Sequence, residues 1–169
     1  MEQAFNRYSR FIGRIVERGF SVVISHEVIA LALDKHNPYR DYGLKLVDMM
    51  LSEEIDYHIP ACFFHYLYWY SVNELGLNKF KVHDAVSCMF KYIPSTRIHS
   101  IDLRVELESI NIYHKTSLDI SEIVYVALAK VLNTKFIISC KQSLDIPDIL
   151  RLNPYPASEN ELLKNRKLP

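Results

Sequence analysis

Glycine is scarce in this chain. Its 169 residues include four, and neither GxGxxG nor GxxxxGK[ST] occurs. Nucleotide-binding folds that cradle phosphates in such loops are therefore disfavoured. Cysteine is also rare. Cys62, Cys88 and Cys140 form an odd set without CxxC spacing. That argues against a zinc or disulfide framework and for a reducing interior. An excess of one charge is missing too, because 20 Lys and Arg balance 20 Asp and Glu. The chain as a whole is not drawn to nucleic acid or to an anionic membrane, and any such contact needs a local patch. No apolar run reaches the ~18 residues of a membrane span. The first 20 residues alternate charged and apolar groups, unlike a secretory signal. The expected location is the cytoplasm, with no membrane contact.

What is present is an ordinary globular composition, 49% hydrophobic and 24% charged. The length suits one domain with a real core. "AFNRYSRFIGRIVERGF" predicts an amphipathic N-terminal helix, an extension over residues 1–20. Phe5, Tyr8, Ile12, Ile15 and Val16 share one face, and Arg7, Arg10, Arg14 and Arg18 another. Apolar runs at 21–25 and 135–140, with alternating runs at 55–60 and 96–102, predict strands. A further short strand is expected near 148–154.

Helices are predicted between the strands. The one over residues 39–54 carries Leu44, Val47, Met50 and Leu51 on one side. The one over 103–115 reads as polar-faced. The helix over 120–133 is apolar on nearly every side and opens on a capping box, Asp119 with Glu122. It should be central and buried. The alternation predicts a three-layer α/β/α sandwich on a mainly parallel sheet of four or five strands. Residues 21–155 form the expected domain, and 156–169 a polar tail.

The motifs "EIVYVALA" (122–129) and "IISCK" (137–141) fit a D-A-x-Y-x-A-L-A helix, a short turn and an L-x-T-x-D strand end. Upstream, "VVIS-HEVIALAL" fits an apolar strand ending in Asp. "IP-ACFFHY" fits a second strand ending in Pro with an acid about six residues on. In order and spacing these segments resemble the PIN domain family, the fold of VapC-type ribonucleases. The resemblance implies three or four carboxylates at one sheet edge, holding Mg²⁺ or Mn²⁺ for phosphodiester cleavage. In this chain those positions read Ser25, Tyr66 (or neighbouring His65), Glu122 and Lys141. One acid beside an ammonium is a poor site for a divalent ion. Lys141 is expected to pair with Glu122 and to stand in for the metal's charge.

The expected function is thus a degenerate PIN-like domain, a binding module without catalytic residues or cofactor. It is expected to form a homodimer and to bind RNA or a protein. The alternatives are a Mg²⁺- or Mn²⁺-dependent ribonuclease with a reorganised site, and a non-cleaving RNA-binding module. His26, His65 and Glu122 could supply a Zn²⁺ or Fe²⁺ site, although filling polar positions of a vestigial cleft is the plainer role. Arg7, Arg10, Arg14 and Arg18 are nucleic-acid candidates, or simply a solvated helix face. "FFHYLYWY" (63–70) carries more aromatics than one helix can bury, which makes Phe64, Tyr68 and Trp69 the interface candidates.

Overall fold

The computed structural model describes Gly13, residues 17–140 and residues 146–153. Five parallel strands form its sheet: β1 (Val22–Ile24), β2 (Tyr57–Pro60), β3 (Ile98–His99), β4 (Phe136–Ile138) and β5 (Leu150–Leu152), in the order β3-β2-β1-β4-β5. Val22 aligns with Tyr57 on one side and with Phe136 on the other. β1 is therefore the middle strand, and Val22, Val23 and Ile24 are all buried. Strands covered on both faces read as continuous apolar runs, which is why "VVI" and "FII" carry no alternation.

Helices cover both faces, giving the α/β/α sandwich. They are α1 (His26–Leu33), α2 (Arg40–Leu51), α3 (Phe63–Trp69), α4 (Lys79–Tyr92), α5 (Leu103–Tyr113) and α6 (Ile120–Val131). α6 is buried from Glu122 through Ala129 and lies against β1, β2 and β4. Its predicted capping box is formed: Asp119 accepts from the Glu122 amide at 2.9 Å, and Glu122 accepts from the Asp119 amide at 3.0 Å. α3 runs on into a wider π turn over Tyr70–Glu74 and ends at Gly76, whose φ of 64° suits a residue without Cβ.

Two predicted faces are corrected. On α2 the buried residues are Tyr42, Gly43, Leu46, Met49 and Met50, while Leu44 and Leu51 face outward. Met50 and Val47 of the predicted side do pack on the core, but the buried face is centred on Leu46 rather than on Leu44. On α5, Val105 and Ile112 are buried, but Leu103, Leu107, Ile110 and Tyr113 are exposed. Their spacing of three and four places them along one side. The outer side of α5 is therefore apolar along this line, not polar as its charged residues suggest.

The strand order fixes where a site belongs. β1 leads outward to β2 and β3, and the chain then returns to β4 on the opposite side of β1. The crevice beyond the carboxyl ends of β1 and β4 is the topological switch point, the usual binding position in open parallel sheets.

Candidate functional site

Ser25, His26 and Glu27 follow β1 directly and open α1 at that switch point. The Ser25 amide donates to the Ile138 carbonyl at 3.0 Å, which ties the turn to the end of β4. All three residues are buried. The Ser25 hydroxyl oxygen is enclosed without a hydrogen-bond partner among the described residues.

Glu27 is the residue that motif reading missed. Its carboxylate accepts from the Ser139 hydroxyl at 2.6 Å. Its other oxygen stands 3.5 Å from His26 Nδ1, long for a hydrogen bond. The available signal was the juxtaposition of "VVI" and "HEV". A buried strand that passes straight into a helix leaves the first helical residues at the sheet edge. Among the described residues the edge thus gains a buried acid beyond Glu122, the one counted from the family positions.

His26 sits among three tyrosines. Its ring centroid lies 5.5 Å from Tyr66, 5.4 Å from Tyr70 and 5.7 Å from Tyr125. Burial, and then the charge of Glu27, hold the Tyr125 phenol well above its ordinary range. Its hydroxyl lies 2.9 Å from His26 Nδ1, a hydrogen bond whose donor is set by the imidazole tautomer. Burial is also the main cause raising Tyr66, with Cys62 and Asp119 adding to it. Cys62, which precedes α3, is pushed up to about 11 by burial, so the thiol is no nucleophile near neutral pH.

The predicted residues separate as follows. Ser25 and Tyr66 are at the edge, and the packing of Tyr66 on His26 favours it over His65, which is exposed. Glu122 reaches the edge as the cap of α6. Lys141, with its expected pairing to Glu122, lies outside the described residues, as do Arg7, Arg10 and Arg14; Arg18 is exposed. Of the aromatic run, Phe63 is buried and Phe64 packs on Phe90 at 5.2 Å, while Trp69 remains 48% exposed. Cys140 is half-buried.

A hard divalent ion such as Mg²⁺ needs several oxygen ligands, chiefly carboxylates. Glu27 bonds Ser139, Glu122 folds back on its own helix start, and the other described positions present a hydroxyl and a phenol. No group of three or more His, Cys, Asp or Glu among the described residues could hold a metal ion, so His26, His65 and Glu122 do not converge on one. The described edge does not fit a Mg²⁺ or Mn²⁺ centre.

A second polar pair lies on the outer strands. His58 Nδ1 and His99 Nε2 face each other at 2.9 Å across β2 and β3. Burial, then His99, lowers His58 below its usual 6.5 against the opposing pull of Asp56, and burial with Arg97 lowers His99. The unfolded chain therefore binds more protons below about pH 6.5, and stability is lost as pH falls through that value. The urea midpoint should drop between pH 7.5 and pH 5. His99→Gln should shrink that drop, and an unchanged drop would contradict the assignment.

These elements and their order define a PIN-like fold. No family model matches the sequence, and no curated protein matches it either. Solved structures do. FitAcB from Neisseria gonorrhoeae is similar at a TM-score of 0.59 and 18% identity, over 79% of this chain and 97% of that one. VapBC2 from Rickettsia felis, solved bound to a DNA fragment from its promoter, aligns at 0.58 and 13%, over 79% and 98%. The Mycobacterium tuberculosis VapC20, a sarcin-ricin loop cleaving toxin, aligns at 0.53 and 6%, over 69% and 86%. No helix among the described residues is long and apolar enough to cross a membrane.

Proposed function

We propose that the chain is a PIN-like interaction module that does not cleave RNA by the metal-dependent route. The observation that carries this reading is the content of the switch-point crevice. A buried serine stands where the first acid is expected, and a histidine packed against tyrosines fills the space beside it. Metal-dependent cleavage needs a cation at that point, and the described side chains do not supply its ligands. Binding falls instead to the outer surface. Trp69, the Phe64–Phe90 pair and the stripe on α5 leave apolar area that favours a protein partner or a second copy. The structural neighbours include toxin–antitoxin complexes, which makes a small protein regulator a reasonable partner class.

The rival reading is a ribonuclease that recruits Mn²⁺ through Glu27. Incubation of the purified protein with single-stranded RNA and Mn²⁺ separates the two. We expect no cleavage above background, and no difference between the unaltered protein, Glu27→Gln and Glu122→Ala. Mn²⁺-dependent cleavage that either substitution abolishes would overturn the proposal. Retention of RNA without cleavage, weakened by salt and by Arg10→Ala with Arg14→Ala, would favour an RNA-binding module.

A further inference from the structure

We propose that His58 and His99 form a two-imidazole site for a divalent transition ion that favours tetragonal coordination, Cu²⁺ or Ni²⁺. The two facing nitrogens are 2.9 Å apart. Two nitrogens each ~2.0–2.1 Å from one ion are ~2.9 Å apart when they subtend a right angle, and ~3.4 Å apart at the tetrahedral angle. A hydrogen bond by itself accounts for this separation; it is also that of adjacent ligands in a square-planar or octahedral shell, so Cu²⁺ or Ni²⁺ requires less displacement of the two nitrogens than Zn²⁺ does.

The sheet supplies the preorganisation. Ile59 aligns with Ile98 and Pro60 with His99, so the hydrogen-bonded strands fix both imidazole-bearing backbones. The Ala61 amide also donates to the His99 carbonyl at 2.8 Å, holding the end of β3. The rings meet edge to face, at 73° between planes. Both residues are half-buried, so the pair is not sealed from the water that would fill the remaining ligand positions. The local charges allow entry. Arg97 is the nearby cation, and it is paired with Asp56 and with Glu53. Burial keeps the pair short of protons near neutral pH, which removes the main competitor for the nitrogen lone pairs.

In the hydrogen-bonded form one facing nitrogen carries the proton and the other accepts it. Binding requires both lone pairs. The donor ring moves its N–H to its far nitrogen, and no net proton is released. The consequence is a clasp on β3, which has two residues and a single neighbouring strand. An ion that binds the folded chain alone raises the unfolding midpoint.

The test is Cu²⁺ titration of the full chain, read by pulsed electron paramagnetic resonance and by thermal unfolding. We expect one equivalent to show two equatorial imidazoles and to raise the midpoint. His58→Gln and His99→Gln should each lose one imidazole coupling and at least tenfold in affinity. Zn²⁺ should bind more weakly than Ni²⁺. The spectrum of the unaltered protein decides the matter even if a variant folds poorly. A single imidazole there, or affinity unchanged in both variants, would place the ion on exposed histidines such as His83 and sink the proposal.

Discussion

Glu27→Ala should lower the unfolding free energy by about 1–3 kcal/mol, the cost of leaving a buried polar group without its hydrogen-bond partner. The carboxylate is enclosed at the end of the central strand, and it receives the Ser139 hydroxyl at 2.6 Å. Alanine strands that hydroxyl without its acceptor, removes the negative neighbour of His26 and leaves a small void. Glu27→Gln keeps a side-chain oxygen for Ser139 at nearly equal volume and should cost less than half as much. Urea unfolding of the three proteins at pH 7.5 distinguishes these outcomes. Equal losses for Ala and Gln would mean that the charge, not the hydrogen bond, holds the turn. No loss for either would remove Glu27 from the core of the site.

Leu128→Ala should cost roughly 2–5 kcal/mol, the range for truncating a fully enclosed leucine. Leu128 is 1% exposed on the central helix α6. On the neighbouring helix α5, Leu107 is 54% exposed. Leu107→Asp should change stability by less than about 0.5 kcal/mol, as surface substitutions do. If the apolar side of α5 meets a second copy, the same change should lower the molecular mass measured by light scattering from dimer to monomer. A stable monomer in the unaltered protein would move the partner surface to Trp69 or to another protein.

Much of the architecture is legible in the residues. "VVI" and "FII" announce buried strands, and Asp119 with Glu122 announces the start of α6. The all-round apolar character of residues 123–129 places that helix at the centre, because only an enclosed helix tolerates it. What escapes a linear reading depends on tertiary choice. α2 has apolar residues around much of its circumference, and its contact with α1 buries Leu46 while Leu44 faces outward. α5 is read as polar because charged residues are interleaved with its leucines, and its outward side is settled by where α6 lies. Glu27 looks like an ordinary acidic residue in a first helical turn. Its enclosure follows from a chain reversal that joins β1 to β4 across more than a hundred residues. The pairing of His58 with His99 likewise depends on strand register, which carries no mark in either local sequence.

That reversal has a consequence for synthesis on the ribosome. Of the described strands the middle one emerges first, and its second hydrogen-bonding partner is the fourth. A nascent chain that has appeared only as far as His99 carries β1 with one flank unsatisfied and apolar on both faces. Such a ribbon invites pairing with other chains. Until Phe136–Ile138 arrives to close it, the growing polypeptide depends on shielding from outside itself, and a translational pause before that point should favour aggregation.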